Sequence, residues 1–344
     1  MKDIFTPDIL TLITTYKCTA SCASCCFGCS PKRDKMMGEM EMISYIDDSM
    51  KAYPEIKVLV LTGGEVLALG LDVVCRIISY VKNKYGIFTR IVSNGFWALS
   101  ESKTREVVNS LSKAGLDELN ISTGDVHAEY IPIKNVCRII DFHESNSELK
   151  TLCVVVERHD DEKLSIEMLN DWIVQKYGDN HKTITMESPW VDFSNYGDWK
   201  NIKSEEGTEY DDFENHGCGN LYAGIQINPE GQFLACCGFA SEYSPFLKIG
   251  NITANRDCLR EYLEEKHHDL LFMWIHTVGP RYIYRRIYGI DPPIGKHMCE
   301  ICMKLITSSD SVEKITQIIE RESKYIYTNF LQARLRYEKE RHAN

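Results

Sequence analysis

The sequence lacks any long apolar run, and it lacks an excess of positive charge. No stretch of its 344 residues is apolar over a length that could cross a bilayer, and the N-terminus shows no secretory signal pattern. With 39 Lys and Arg against 50 Asp and Glu, the formal net charge is −11. We therefore expect a cytoplasmic protein without a nucleic-acid partner and without a membrane partner.

Cysteine, in contrast, is abundant. The chain has 14 cysteines, and disulfides are rare in the reducing cytoplasm. Thiolates in that compartment more often bind metal ions or iron–sulfur clusters. The composition therefore predicts a metal or cluster protein.

Three of the cysteines lie close together after an apolar run at residues 9–14. Cys18, Cys22 and Cys25 have the spacing Cys-x3-Cys-x2-Cys. Three thiolates hold three irons of a [4Fe–4S] cube, whereas a closed all-cysteine site uses four, so the fourth iron would be open to a small molecule. A zinc knuckle completed by Cys26 or Cys29 is the alternative interpretation.

This triplet resembles the cluster motif of the radical SAM superfamily. The resemblance implies that the open iron binds S-adenosylmethionine (SAM). It further implies that one electron, supplied by an external donor, cleaves SAM to a 5′-deoxyadenosyl radical that abstracts a hydrogen atom. In enzymes of this kind the cofactor carries the radical chemistry, and the protein supplies placement and the exclusion of side reactions.

The first half of the chain alternates between short β-rich runs and helical patterns. Strands are predicted at 9–14, 57–62, 88–93, 118–122, 152–157 and 183–187, and helices at 39–53, 71–84, 103–114, 135–144 and 164–177. Six βα units predict an α/β fold with a parallel sheet. The pattern fits a partial (β/α)6 barrel, the TIM-like core that the resemblance implies, and equally an open doubly wound sheet.

The pattern also suggests a division of the chain. We predict the barrel at 1–190, a polar, acidic connecting segment at 191–217, and a smaller second domain at 218–344.

Small and polar residues follow the predicted strands. Parallel sheets place their active sites at the carboxyl ends of the strands. We therefore predict that the residues at these ends bind SAM: Gly63, Gly64, Glu65, Ser93, Asn94, Ser122 and Asp125. The first three resemble the GGE motif of the superfamily, in which backbone carbonyls and Glu65 would accept hydrogen bonds from the SAM ammonium group. The alternative is ordinary turn and cap chemistry at Asn94 and Asp125.

Two further side chains near the strand ends are candidates for contacts with a ligand. His127 is a candidate for substrate contact, although a lone histidine is more often structural. Arg158, after the fifth strand, is a candidate partner of the SAM carboxylate.

A second cysteine set occupies the C-terminal half. Cys218 precedes a predicted β-hairpin at 225–233, Cys236 follows it, and Cys299 and Cys302 form a Cys-x2-Cys pair. This arrangement resembles the auxiliary-cluster (SPASM-type) domain of radical SAM peptide-modifying enzymes, in its truncated "twitch" form because no cysteine follows Cys302. The resemblance implies one auxiliary [4Fe–4S] cluster on these four thiolates, although zinc fits four cysteines equally well.

Cys237 directly follows a predicted ligand. Neighbouring strand residues point to opposite faces, so the Cys237 thiol would point away from the Cys236 thiol. A thiol that faces an active site is a good hydrogen-atom donor, but free cysteines are also common as small buried hydrophobes.

A closer resemblance covers nearly the whole chain. Six segments are similar, in the same order, to the radical SAM epimerases that make epipeptides: 18–31 (CTASCASCCFGCSP), 61–66, 91–100, 122–127, the Cys236–Cys237 pair and 299–315. It implies that the radical removes a Cα hydrogen from a ribosomal precursor peptide and that Cys237 returns hydrogen from the opposite face, giving a D-residue. One departure is that residues 219–229 contain no Asp or Glu, where those epimerases carry an acidic residue.

Two alternatives remain open. The first is a maturase that forms a thioether or carbon–carbon crosslink in a peptide, a net oxidation in which Cys237 is dispensable. The second is a non-catalytic iron–sulfur or zinc protein that senses redox state. The polar residues at several strand ends argue against the second alternative.

Overall fold

The first half of the protein consists of regular βα units. The computed structural model describes residues 5–23, 25–146, 148–158, 163–189, 217–236, 241–292, 298–307 and 309–343. Six strands come first: β1 (Ile9–Thr15), β2 (Val58–Gly63), β3 (Phe88–Ser93), β4 (Glu118–Thr123), β5 (Thr151–Arg158) and β6 (Ile184–Pro189). The helices between them are α1 (Glu39–Ala52), α2 (Leu71–Tyr85), α3 (Glu101–Ala114), α4 (Asp125–Ala128), α5 (Ile133–Asn146) and α6 (Ile166–Tyr177).

All six predicted strands and all five predicted helices are confirmed, with ends that differ by at most two residues. The agreement has a simple cause in α2, where Val74, Ile77, Ile78 and Val81 recur at helical spacing and are all buried. The short helix α4 is an addition that the sequence pattern did not predict.

The order of the strands decides between the two predicted architectures. The described strands form one sheet in the order β6-β5-β4-β3-β2-β1, and every neighbouring pair in this part is parallel. A doubly wound sheet reverses its strand order at a switch point. This sheet runs from β1 to β6 without a reversal, as in a barrel wall. The partial (β/α)6 barrel is confirmed, and the doubly wound alternative is wrong.

The C-terminal half begins by extending the same sheet. Strand β7 (Gly224–Ile227) pairs in parallel with β1, and β8 (Gln232–Leu234) and β9 (Lys248–Asn251) follow as antiparallel neighbours. The predicted hairpin is therefore present. Because β7 lies directly beside β1, the hairpin is an extension of the barrel wall. The predicted connecting segment lies outside the described residues except for Gly217, and the division into two domains stays a prediction.

The remaining helices are α7 (Leu259–His267), α8 (Leu270–Tyr288), α9 (Met298–Thr307) and α10 (Ser309–Ala343). The apolar residues Leu259, Leu263, Leu270 and Leu271 fit one helical pattern over 256–276, yet the structure divides this stretch. The helix stops at His267, and Asp269 caps a new helix by accepting hydrogen bonds from the backbone N–H groups of Leu271 and Phe272. No described helix combines the length and apolar character that crossing a bilayer requires.

The main core lies between the sheet and its outer helices, and a second small cluster lies on the other face. Leu10 and Leu12 of β1 belong to the main core. Ile13 instead packs with Tyr16, Cys29 and Leu234. This inner cluster joins β1, the cysteine loop and the hairpin, and it forms an apolar base beneath the triplet.

One buried histidine makes the stability of this core dependent on pH. The ring of His267 stacks on Phe5 at 3.7 Å, and its Nδ1 lies 2.7 Å from the carbonyl oxygen of Leu263. Burial lowers the pKa of His267 to about 4. Below its ordinary pKa the unfolded chain binds a proton that the folded chain excludes, so the stabilisation present at neutral pH is lost as pH falls from about 6.5 to 4.

We expect the free energy of unfolding to fall across this window, with His267 contributing up to about 3 kcal/mol. His267→Phe keeps the stack and should flatten the pH dependence measured by urea denaturation on samples of equal iron content. The neighbouring His268, directly after the helix, is exposed, so His268→Gln should leave the dependence unchanged. Equal slopes for the wild type and His267→Phe would contradict the prediction.

Candidate active site

A cavity, hereafter the main cavity, opens at the carboxyl ends of the barrel strands. Its volume, including the open mouth, is about 1020 Å³. Each of the six strand ends contributes to its wall, through Cys18, Gly63, Asn94, Ser122, Glu157 and Ser188. The site therefore lies where a parallel βα sheet places its chemistry.

The cysteine loop forms one side of this cavity. The three thiols of the triplet line it, together with Cys26 and Cys29. Turns fold the loop back on itself, because the Cys25 N–H donates to the Cys22 carbonyl at 3.1 Å and the Gly28 N–H to the Cys25 carbonyl at 3.0 Å. The three side chains predicted to bind irons therefore line one space.

The thiols of the triplet differ in their acidity. A hydrogen bond from the thiol of Cys29, followed by one from its backbone N–H 3.2 Å from Sγ of Cys25, lowers the pKa of Cys25 to about 6. Burial raises the pKa of Cys22 to about 12 and also raises the pKa of Cys18. The loop thus favours one thiolate at neutral pH, and a bound cation would be needed to ionise the other two.

The two glycines after β2 allow the backbone to approach the start of the cysteine loop. The N–H of Gly64 donates to the Thr15 carbonyl at 2.7 Å, and the N–H of Glu65 donates to the Lys17 carbonyl at 2.9 Å. A Cβ atom on Gly64 would lie 2.1 Å from the carbonyl oxygen of Lys17. Gly63 has a φ of +129°. These contacts fix the chain immediately before Cys18.

Glu65 holds two strand ends together and does not line the cavity. Its carboxylate is fully buried and accepts hydrogen bonds from Ser93 Oγ at 2.9 Å and from the N–H groups of Asn94 (2.9 Å) and Leu67 (3.0 Å). Burial outweighs these hydrogen bonds and raises the pKa of Glu65 to about 7. Glu65 therefore holds the ends of β2 and β3 together, and its predicted contact with SAM stays a prediction.

The residues after β3 do line the cavity. Ser93 Oγ donates to Glu65 and accepts from the indole N–H of Trp97 at 3.0 Å. The side-chain amide of Asn94 faces Cys18, with its Nδ2 3.6 Å from the sulfur. Asn94 therefore contacts a predicted cluster ligand directly, and Ser93 is connected to Asn94 through Glu65.

The predicted residues after β4 separate into two groups. Ser122 lines the cavity. Asp125 does not line it, because its carboxylate accepts hydrogen bonds from the backbone N–H groups of Lys163 at 2.6 Å and Leu164 at 3.1 Å. Asp125 thus connects α4 to the segment after β5, and its predicted contact with SAM stays a prediction.

Arg158 is also directed away from the cavity. Its guanidinium lies 3.5 Å from the carboxylate of Glu187 in an exposed pair, and it is not among the lining residues. Its predicted contact with a SAM carboxylate stays a prediction.

The structure adds a carboxylate–imidazole pair that the sequence did not reveal. Glu157 at the end of β5 is buried, and its Oε2 lies 2.9 Å from Nδ1 of His127. Its Oε1 accepts from the backbone N–H groups of Val126 and His127. A Cβ atom on Gly124 would lie 2.0 Å from Cγ of Glu157, so the glycine leaves room for this carboxylate. Both side chains of the pair line the cavity.

A second, smaller cavity contains the other cysteine set. Cys218, Cys236, Cys299 and Cys302 all line it, although they come from three distant segments. The rest of its wall is mostly apolar and includes Leu221, Leu247, Ile275 and Pro280. The structure therefore brings the four predicted auxiliary ligands to one place.

Local geometry explains how these segments meet. The N–H of Cys218 donates to the Ile275 carbonyl at 3.0 Å, and its own carbonyl lies 2.9 Å from Nδ1 of His276. Helix α8 bends at Gly279, with a φ of +78°, next to Pro280. Burial, followed by the nearby Cys299 and Cys218, raises the pKa of Cys302 well above its ordinary value, as expected for clustered thiols without a cation.

Cys237, the predicted hydrogen donor, lies outside the described residues. Among the residues that are described, no group of three or more His, Cys, Asp and Glu side chains is close enough to bind a single metal ion. In a [4Fe–4S] cube each thiolate binds a different iron, so the thiolates need not converge on one point. The donor sets of both cavities, three and four thiols, fit such a cube.

A solved structure has this architecture. The chain superposes on anSMEcpe with bound AdoMet over 95% of its own length and 96% of that chain, with 14% identity and a TM-score of 0.51. This likeness shows that the chain shares the fold of that protein, the TIM-like partial barrel predicted from the sequence.

Other comparisons are more partial. YydG of Bacillus subtilis (strain 168), which is named as a peptide biosynthesis protein, is 30% identical over 125 residues, which are 36% of this chain and 38% of YydG. Streptococcus suis SuiB bound to its precursor peptide SuiA aligns over 67% of this chain and 59% of SuiB, with 14% identity and a TM-score of 0.40. No family model matches the chain.

Within this fold, the residues predicted to bind the first cluster and SAM fall into two groups. Those that line the main cavity are Cys18, Cys22, Cys25, Gly63, Gly64, Ser93, Asn94 and Ser122. Glu65 and Asp125 lie behind it and fix the backbone. The pairing of Glu157 with His127 was not predicted, because a glutamate at a strand end has no distinguishing sequence pattern. Only the turn at Gly124 brings His127 against it.

Proposed function

We propose that this protein is a radical SAM enzyme that modifies a ribosomally synthesised peptide, and that the modification is L-to-D epimerisation. The observation that carries the proposal is the main cavity, in which three thiols with the Cys-x3-Cys-x2-Cys spacing face the polar ends of the barrel strands. The similarity of 125 residues to YydG, a protein named for peptide biosynthesis, supports a peptide substrate.

The residues that would hold the cofactors follow from the cavity wall. Cys18, Cys22 and Cys25 would bind three irons of a [4Fe–4S] cluster, and the strand ends at Gly63, Gly64 and Ser122 would border SAM. When bound, the cluster and SAM together supply a 5′-deoxyadenosyl radical able to remove a hydrogen atom from a peptide Cα. The chain's part is to position the peptide carbon and to keep water and other hydrogen donors away.

The four thiols of the second cavity would hold one auxiliary [4Fe–4S] cluster. Four cysteines complete a closed cage, and the apolar wall around them would shield it from solvent. Such a cluster transfers electrons or stabilises its surroundings. An external donor would still be needed to reduce the first cluster.

Hydrogen return is assigned to Cys237. Epimerisation is redox-neutral for the peptide, because one hydrogen atom leaves Cα and another arrives on the opposite face. The Cys237 S–H bond breaks as the new C–H bond forms, and the sulfur radical then needs one electron and one proton before the next turnover. Cys237 directly follows Cys236 in the sequence, and Cys236 lines the second cavity. Cys237 is therefore adjacent in sequence to a predicted ligand of the auxiliary cluster.

A crosslinking maturase is the second candidate. The observation that favours it lies in β7, where the buried polar side chain is that of Gln226 and no Asp or Glu occurs at 219–229. A thioether or carbon–carbon crosslink removes two hydrogens from the peptide, and the auxiliary cluster would accept an electron.

The experiment that separates the two uses Cys237→Ala and the precursor peptide encoded beside the gene. Reduced, reconstituted wild-type enzyme with SAM in deuterated water should add one mass unit per altered residue. Cys237→Ala should still form 5′-deoxyadenosine but should lose D-residue formation by at least about a hundredfold.

Cys258 is exposed and lines neither cavity. Cys258→Ala therefore serves as the matched control, with unchanged activity expected. A peptide that loses two mass units, with or without Cys237, would replace epimerisation by crosslinking. An absence of SAM cleavage in the wild type would overturn both candidates and favour a redox sensor.

A further inference from the structure

Hydrogen bonds hold Asn94 at its backbone N–H and at both polar atoms of its side chain. Its backbone N–H donates to Glu65 Oε2 at 2.9 Å, and its Oδ1 accepts from the Phe96 N–H at 3.0 Å. Its Nδ2 lies 3.1 Å from Thr19 Oγ1 and 3.6 Å from the sulfur of Cys18. The residue is 7% exposed. A buried amide with this many partners has one orientation.

The direction of the amide follows from the same contacts. The Phe96 N–H is a donor and needs the oxygen of Asn94, so the nitrogen must face Cys18 and Thr19. An amide nitrogen has two hydrogens, and the two partners each take one. The Cys18 sulfur therefore accepts a hydrogen bond from a side chain that belongs to a different strand.

We propose that Asn94 is a positioning residue for Cys18, holding the first thiolate of the triplet in place and stabilising its negative charge. The inference rests on the proposed function, since it supposes that Cys18 binds the cluster. It differs from the role predicted from the sequence, in which Asn94 contacts SAM.

Neighbouring residues make this contact stiff. Glu65 accepts hydrogen bonds from both Ser93 and Asn94, so the end of β2 fixes the end of β3. The Glu65 N–H in turn bonds the Lys17 carbonyl, one residue before Cys18. The amide of Asn94 thus closes a ring of contacts around the start of the cysteine loop, and a shift of Cys18 would break several hydrogen bonds together.

The contact has an electronic consequence. Hydrogen bonds to the sulfur ligands of an iron–sulfur cluster are one of the factors that set its reduction potential. A donor stabilises the more negative, reduced state more than the oxidised state, so its removal should make the cluster harder to reduce. The N–H of Ala20 also donates to Cys18 Sγ, at 3.5 Å. Removing the Asn94 donor would therefore remove only part of the hydrogen bonding to this sulfur.

The test compares Asn94→Asp with Asn135→Asp. The aspartate keeps an acceptor for the Phe96 N–H but presents oxygen, not N–H, to Cys18. Asn135 is the matched control, because its buried amide supports the same loop by donating to the Gly95 carbonyl at 3.3 Å and the Phe96 carbonyl at 3.4 Å. No contact joins it to Cys18 in the described hydrogen bonds.

The measurements are iron content and a potentiometric titration of the reconstituted holoenzyme, following the cluster signal that changes when SAM is added. For Asn94→Asp we expect the ratio of reduced to oxidised cluster at a fixed potential to fall roughly tenfold, which is 59 mV for one electron. Asn94→Ala, which adds no charge, should shift it in the same direction by a smaller factor. Asn135→Asp should keep the wild-type potential.

Other outcomes would overturn the proposal. An unchanged potential in Asn94→Asp and Asn94→Ala, with weaker SAM binding, would make Asn94 a SAM contact. An equal shift of the reduction potential in Asn135→Asp would show that any such change in this loop alters the potential, and that the contact with Cys18 is not the cause. A wild-type protein without a SAM-responsive cluster would overturn the proposed function as well, and this result is distinguishable because it does not involve the variants.

Discussion

Replacing Cys22 with serine is expected to abolish SAM cleavage, with a loss of at least about a thousandfold in the rate of 5′-deoxyadenosine formation. Cys22 is one of three thiols that would hold irons in the main cavity. A serine hydroxyl is not a thiolate, and two remaining cysteines leave two irons without protein ligands. Iron content should fall by roughly one cluster per chain, measured by iron and sulfide analysis after anaerobic reconstitution.

Cys26→Ser is the matched control for this prediction. Cys26 lines the same cavity and lies one residue after Cys25, but the spacing places it outside the triplet. It should keep a SAM-cleaving cluster. If Cys26→Ser instead lost the cluster and Cys22→Ser kept it, the assignment of ligands would be wrong, although a cluster in this loop would remain.

The second large effect is expected at Gly64. In Gly64→Ala the new Cβ would lie 2.1 Å from the carbonyl oxygen of Lys17 and 2.7 Å from its carbonyl carbon. Backbone atoms cannot rotate away as a side chain does, so either the strand end or the cysteine loop must move. We expect a loss of about 3 kcal/mol or more in the free energy of unfolding, together with poor incorporation of iron.

Gly38 offers a comparison that separates crowding from the loss of a glycine. It caps α1 with an extended backbone, and a Cβ atom there would meet nothing nearer than Glu41 Cβ at 4.0 Å. Gly38→Ala should cost about 1 kcal/mol or less. Denaturant unfolding of both variants checks the difference, and equal stability of Gly64→Ala and Gly38→Ala would show that the loop relaxes freely.

Much of the architecture could be predicted because the βα pattern is local. Each strand is a short apolar run and each helix repeats at helical spacing, so the burial of Val74, Ile77 and Val81 follows from their positions. The order of the strands in the sheet, in contrast, does not follow from any local pattern. A barrel wall and a doubly wound sheet have the same alternation of elements, and only the pairing of strands distinguishes them.

The helical C-terminal half shows the limit of periodicity. A continuous helical pattern crosses residues 268–269, yet the chain turns there because the carboxylate of Asp269 caps the next helix. The pattern of apolar residues continues on both sides of the break. Here the side chain of Asp269 outweighs the periodicity, because it bonds the backbone N–H groups that begin the next helix.

At the candidate site, the sequence by itself determined which residue types stand at which strand ends: the cysteine triplet after β1, the glycines after β2, and the polar residues after β3 and β4. Chain connectivity alone fixes this, because parallel strands bring their carboxyl ends to one edge of the sheet. The four distant cysteines of the second cavity were grouped by resemblance, and the fold brings them to one place.

Only the tertiary structure decided what each polar side chain faces. Glu65 and Asp125 occupy the expected strand ends, yet both carboxylates are directed to backbone N–H groups and away from the cavity. Glu157 gained its partner His127 from a neighbouring strand end. The physical reason is that a buried carboxylate must find donors, and those donors come from segments distant in the sequence, whose proximity no local pattern encodes.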